Sequence, residues 1–214
     1  MKTLIITGGK ISADFALTFF ENNEYDCVIA ADKGLEVLDK LCIKPDYIIG
    51  DFDSLEAGIL CEYSEDRIIK LNPEKDFTDT EAAIHLAIEK GSDSVTIIGA
   101  TGSRLDHVMA NISLLMIPLE VGIPAYIIDE NNRIRLIYKT LELTQEDCFG
   151  DNVSLIPYSD EVTGVTLKGF YYPLNNKNIS RFKELSLGIS NKITEDKCII
   201  EIKDGILIVI ESRD

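Results

Sequence analysis

A repeated phrase governs the first 130 residues of this 214-residue chain: a short β-branched or apolar run, a Gly, Asp or Ser punctuation, then a segment with helical spacing. Strands are expected at residues 3–7, 27–31, 47–49, 67–70, 95–98 and 125–128, and helices at 12–21, 35–41, 78–90 and 105–116. Strands that alternate with helices join through right-handed crossovers into a mainly parallel sheet with helices on both faces. Runs such as Val95-Thr96-Ile97-Ile98 agree, because a central parallel strand is buried on both sides.

Past Asn131-Asn132 the helical periodicity fades. Short strands are expected at 134–138, 153–156, 162–167, 198–202 and 206–210, the last two flanking Asp204-Gly205, a type I′ hairpin signal. The fold class is therefore α/β, with an N-terminal mainly parallel sheet flanked by helices at 1–132 and a C-terminal all-β, sandwich-like domain at 133–214. An apolar content of 45% is enough to fill both cores. A net charge of −16 argues against a nucleic-acid partner, since phosphate backbones are bound by basic surfaces. No apolar run approaches a membrane span or a secretory signal, and a cytoplasmic location without membrane association is expected. The five cysteines, 27, 42, 61, 148 and 198, contain no Cys-x-x-Cys pair and fit reduced thiols; with two histidines in the chain, a zinc site is disfavoured.

Chemistry is signalled by where the aspartates fall. Asp32 follows the second strand, Asp51 and Asp53 the third, Asp76 and Asp79 precede a helix, and Arg104 and Asp106 follow the turn Gly99-Ala100-Thr101-Gly102. All belong to the carboxyl edge of a parallel sheet, where such folds bind ligands. Neither a Gly-x-x-x-x-Gly-Lys-Ser/Thr string nor a Gly-x-Gly-x-x-Gly string occurs, and Thr7-Gly8-Gly9-Lys10 does not supply one. Asp32 or Asp76 alone is more simply a turn former or helix cap, Asp79 a complement to a helix dipole, and His85 a surface or structural histidine. His107, beside Arg104 and Asp106, fits either role.

Together the acids need a cation, because two carboxylates about 5 Å apart repel by roughly 3 kcal/mol at an effective dielectric near 20. A hard divalent ion meets that need, and Mg²⁺ held by one or two carboxylates plus substrate phosphates is the usual arrangement. The Asp51-Phe52-Asp53 spacing would put both carboxylates on one side of an extended segment with Phe52 inward. The same acids would serve an Asp-x-Asp nucleotide-sugar transferase equally well, whereas a non-catalytic sensor of nucleotide or other ligand is expected to have lost one or more of them.

Five segments in this order resemble the thiamine pyrophosphokinase family: Ala31-Asp32-Lys33-Gly34; Pro45-Asp46 leading to Gly50-Asp51-Phe52-Asp53-Ser54; Lys75-Asp76-Phe77-Thr78-Asp79; Gly99-Ala100-Thr101-Gly102 with Arg104-Leu105-Asp106-His107; and Gly188-Ile189-Ser190-Asn191. The resemblance implies an ATP- and Mg²⁺-dependent diphosphotransferase that forms thiamine diphosphate and AMP, working as a homodimer with its active site at the subunit interface. It implies catalytic roles for Asp51, Asp53, Asp79 and Asp106, with Asp51, Asp53 and Asp79 as metal ligands. ATP would meet Asp32, Lys33, Asp76, Gly99, Thr101, Gly102, Arg104 and His107, and thiamine would meet Tyr172, Ser190 and Asn191 of the partner's β domain. Lys33 stands where relatives commonly carry glycine, and Tyr172 where some carry Trp. Either Asp79 or Asp53 would serve as the general base.

Overall fold

The computed structural model describes residues 1–53, 55, 58–184 and 186–214, and Ser54 of the third strand's motif lies outside the described residues. Contacts divide the chain into two units, Met1–Glu130 and Asn131–Asp214.

In the first unit six parallel strands lie in the order β6-β5-β1-β2-β3-β4. They are β1 (Lys2–Ile6), β2 (Cys27–Ala31), β3 (Tyr47–Gly50), β4 (Ile68–Lys70), β5 (Ser94–Ile98) and β6 (Ala125–Ile128). The helices are α1 (Ala13–Asn22), α2 (Gly34–Lys40), α3 (Asp79–Glu89), α4 (Leu105–Leu114) and α5 (Met116–Glu120). The alternation read from the sequence is thus the alternation of the fold. β1 lies centrally between β2 and β5, and its Leu4, Ile5 and Ile6 are wholly buried, as a strand covered on both faces requires. The fourth expected helix divides: α4 ends at Leu114 and α5 begins at Met116. Pro118 has no N–H to give the Leu114 carbonyl, so a continuous ladder cannot form there.

The second unit is antiparallel. It contains β7 (Asn132–Ile137), β8 (Leu141–Thr144), β9 (Asn152–Pro157), β10 (Glu161–Lys168), β11 (Leu174–Ser180), β12 (Asn191–Lys192), β13 (Lys197–Glu201) and β14 (Leu207–Ser212). One layer runs β12-β9-β14-β7 and the other β11-β10-β13-β8. Val153, Leu155 and Val209 of the first layer join Leu143, Val165 and Ile200 of the second in one buried cluster, which is a sandwich core.

The Asp204-Gly205 hairpin does not form. β13 pairs with β10 and β8, whereas β14 pairs with β7 and β9, so the turn carries the chain from one layer to the other. Thr163 captures the turn instead: its N–H donates to Asp204 O (2.9 Å) and its carbonyl accepts from Lys203 N–H (2.9 Å). Gly205 keeps the positive φ of 97° that the Asp-Gly pair signalled.

Glu211 of β14 is fully buried in this unit. It accepts from Arg133 Nε (3.0 Å), Arg135 Nη2 and the Phe149 N–H (3.1 Å). Burial would raise the Glu211 carboxyl, but the two guanidinium groups outweigh it and hold the carboxyl below its ordinary value. All five cysteines are free thiols. Cys148, beside Glu211, is pushed up by burial to about 11 and is no nucleophile at neutral pH. Among the described residues no helix is long and apolar enough to cross a membrane.

Glu211→Gln leaves the buried Arg135 and the partly buried Arg133 guanidinium groups facing a neutral amide, and the expected cost is about 3–5 kcal/mol in denaturant unfolding. Because the folded carboxyl is depressed, the wild-type contribution is fully present above the model-compound value of 4.5 and is lost as pH falls through the folded value. The stability gap between wild type and Glu211→Gln therefore narrows on acidification.

Candidate active site

A cavity of about 420 Å³ opens at the carboxyl edge of the parallel sheet. Its floor is made by two loops, one after β1 and one after β5. Thr7 N–H donates to Ile98 O (2.9 Å), Gly9 N–H to Gly99 O (3.0 Å), and Thr7 Oγ1 to Gly99 O (2.6 Å). The loops approach so closely that a Cβ on Gly9 would lie 2.0 Å from Gly99 O, and Gly99 itself sits at φ 75°. The Gly-Gly pair after the first strand is thus a packing requirement at the cavity floor. Its spacing matches no dinucleotide-binding string, so the sequence does not announce it.

Of the expected site residues, Asp32, Lys33, Asp79, Gly99, Thr101, Gly102, Arg104 and His107 line this cavity. Thr7, Gly8, Gly9, Lys10, Thr78, Thr80 and Asn111 line it too and were not expected. Asn111 Nδ2 donates to Ala100 O (2.8 Å), which fastens α4 to the β5 loop. One signal for it was available, since Asn111 follows His107 by four residues and shares its helix face. Thr78 caps α3, its Oγ1 accepting from Glu81 N–H (3.1 Å), and thereby sets Asp79 at the first turn of that helix.

Asp51 is joined to this site through a lysine. Lys75 Nζ lies 2.8 Å from Asp79 Oδ1 and 3.6 Å from Asp51 Oδ2, and its side chain is 9% exposed. Burial alone would lower the Lys75 ammonium; the Asp79 hydrogen bond and the Asp79 and Asp51 charges outweigh it and raise it above the ordinary lysine value. The cation demanded by carboxylate clustering is therefore supplied here by a side chain. Lys75 opens the Lys75-Asp76-Phe77-Thr78-Asp79 segment, yet nothing in the sequence assigns it this contact.

The Asp51-Phe52-Asp53 segment is a turn, which corrects the extended geometry expected from its spacing. β3 ends at Gly50, Phe52 has φ 65°, and Asp53 N–H donates to Asp51 Oδ1 (3.1 Å). Phe52 does pack against the buried core, as its apolar character requires. Asp53 and Asp76 are exposed and do not line the cavity. Asp106 is also outside it; its carboxylate accepts from Arg104 Nη2 (2.6 Å) and Nε (3.3 Å), which holds the Asp106 carboxyl below its usual range. Both partners are largely exposed, so the pair is weakly held and Arg104 can exchange partners. His85 is exposed on α3 and lies away from the cavity.

In the second unit, Asn191 is buried and its amide clasps one backbone unit: Oδ1 accepts from Tyr172 N–H (2.9 Å) and Nδ2 donates to Tyr172 O (2.8 Å). Tyr172 is 62% exposed and meets Tyr171 edge-on with centroids 4.8 Å apart. Ser190 has φ 53° and its N–H donates to Ser154 Oγ (3.0 Å).

A parallel α/β unit with glycine loops, cations and carboxylates at its carboxyl edge is the layout of the enzymes that bind phosphate-bearing ligands there, and a β sandwich follows it. Comparison with known proteins is more specific. The profile "Thiamin pyrophosphokinase, catalytic domain" matches residues 20–127, and "Thiamin pyrophosphokinase, vitamin B1 binding domain" matches residues 139–207. Thiamine pyrophosphokinase of Bacillus subtilis is 35% identical over the full length of both chains. Its crystal structure superposes with a TM-score of 0.86 over 100% of each chain, at 31% identity across the structurally aligned positions. That of Geobacillus thermodenitrificans gives 0.86 at 33% identity, covering 100% of this chain and 98% of its own. The chain belongs to the thiamine pyrophosphokinase family.

The floor of the cavity offers a stability test. Thr7→Val removes one buried hydrogen bond and is expected to cost about 0.5–1.5 kcal/mol. Gly9→Ala drives a methyl into the Gly99 carbonyl, with an expected cost of about 1–3 kcal/mol, read as a lower urea midpoint. Loss of the cavity's ligand affinity should accompany the second change more than the first.

Proposed function

We propose that the cavity binds ATP with Mg²⁺ and that the enzyme moves a diphosphate from ATP to the hydroxyl of thiamine, releasing AMP. The observation that carries this reading is the convergence of opposite charges on one pocket. Lys10, Lys33 and Arg104 line it as cations beside the glycine loops, while Asp79, tied through Lys75 to Asp51, brings carboxylate oxygen. Cations and amides suit phosphates, and the paired carboxylates suit a hard divalent ion.

The donor set fits that ion. Asp51 and Asp79 already converge on a single cationic point, the Lys75 ammonium. Among the described residues no three His, Cys, Asp or Glu side chains stand together as a preformed cage. Mg²⁺ commonly takes only one or two protein carboxylates, the phosphates completing its shell. Asp51 and Asp79 would hold it, with exposed Asp53 in reach of the same turn, and when bound it would neutralise phosphate charge during transfer.

In such a transfer the protein's own task is positioning and charge stabilisation. Arg104, freed from its exposed pairing with Asp106, supplies two N–H donors to a phosphate, while Lys10 and Lys33 hold the chain of phosphates along the loops. Asp79 or Asp53 accepts the proton of the thiamine hydroxyl. Tyr172, held at its backbone by Asn191, offers an exposed ring to cationic thiamine, with Ser190 beside it. Two copies are proposed to pair so that the β unit of one completes the α/β cavity of the other.

Titration calorimetry tests the metal bridge: ATP should bind at least about tenfold more weakly without Mg²⁺, since anion then meets carboxylate unaided. Equal affinities with and without Mg²⁺ would remove the bridge from the account. Sedimentation equilibrium should report a dimer, and a monomer that turns over thiamine would contradict the shared site.

A further inference from the structure

We propose that Lys75 is a placeholder cation: its ammonium holds Asp51 and Asp79 together until a divalent ion displaces it, and then turns to the triphosphate. The inference rests on the proposed metal role of those two carboxylates and extends it to a residue with which that role does not deal. Lys75 Nζ touches Asp79 at 2.8 Å and lies 3.6 Å from Asp51, from a side chain only 9% exposed, whereas the two carboxylates are 25% and 23% exposed. A buried ammonium between two half-open carboxylates blocks the ground that a metal would occupy. Both cations cannot sit there, because like charges a few ångströms apart repel strongly in a partly desolvated site.

The arrangement has two consequences. Without nucleotide, Lys75 competes with the metal and keeps its affinity low, while sparing the free enzyme the repulsion of two clustered carboxylates. When metal and ATP arrive together, the expelled ammonium gains an anionic partner in the triphosphate, so the competition turns into coupling between the two ligands. Lys75 is thus a positioning residue that swings a charge between carboxylate and phosphate. It makes the site select the metal–nucleotide pair over the free ion.

The test measures Mn²⁺ binding without turnover, using the electron paramagnetic resonance signal of free Mn²⁺ as an oxygen-seeking substitute for Mg²⁺. Without nucleotide, Lys75→Met and Lys75→Gln should bind Mn²⁺ about tenfold more tightly than wild type, equivalent to about 1.4 kcal/mol. Lys75→Arg, which keeps the charge, should bind it as wild type does. ATP should tighten Mn²⁺ binding less in Lys75→Met than in wild type. A purely structural lysine would not produce tighter metal binding on removal. If the Met and Gln variants bind Mn²⁺ no better than wild type while Asp51→Asn weakens it, the placeholder role is wrong and the metal site stands. If Asp51→Asn also leaves Mn²⁺ affinity unchanged, the metal-site assignment falls with it.

Discussion

The hydrogen bonds between the loop after β1 and the loop after β5 are the contact about which the α/β unit is arranged. Three hydrogen bonds from Thr7 and Gly9 to Ile98 and Gly99 tie the ends of two adjacent strands that are buried over Thr3–Ile6 and Val95–Ile98. Because those strands cannot shift in a close-packed core, the loops they end in are held at a spacing that admits no side chain on Gly9. The same floor carries Lys10 on one side and Thr101 with Gly102 on the other, and Asn111 pins the following helix to it. The groups proposed to face phosphate are thereby fixed by backbone packing, which loses little on ligand binding.

Charge is handled in the opposite manner, by groups that can change partners. A chain of net charge −16 must bring an anionic nucleotide to a carboxylate-lined edge. Lys75 lies between Asp51 and Asp79, and Asp106 pairs with Arg104, so the carboxylates and the arginine proposed to act on metal and phosphate are ion-paired in the free protein. Exposure of the Arg104–Asp106 pair makes its exchange cheap, whereas the Glu211 cluster of the β unit, fully buried and satisfied by two arginines, is a fixed structural element. The two acidic clusters differ in the burial of their carboxylates: Asp51 and Asp79 are partly exposed, and Glu211 is not.

Much of the fold was legible because the residues that carry it are buried on both sides. Val95 to Ile98 and Leu4 to Ile6 announce central strands through continuous apolarity, and glycine and aspartate mark the carboxyl edge. What escaped depended on contacts distant in sequence. Asp204-Gly205 forms a tight turn, but Thr163 decides that it joins two layers. β11, Leu174–Ser180, is mostly exposed and polar and pairs only with β10, so no alternation reveals it. The aspartates were identified from their positions after strands, yet spacing could not show that Lys75 lies between two of them or that residues 51–53 turn. The sequence motifs identified which residues to consider; tertiary packing determined which of them meet.

The pocket is proposed to present the β-phosphorus of ATP, through cations on the glycine loops and carboxylates at the α3 end, to the hydroxyl of thiamine. Phosphorus nuclear magnetic resonance of the products formed from ATP, Mg²⁺ and thiamine tests it most directly. The account requires thiamine diphosphate and AMP in equal amounts, with ADP absent from the early time course. Thiamine monophosphate appearing with ADP would show that the γ-phosphorus is attacked, and would contradict the placement of the triphosphate in the cavity.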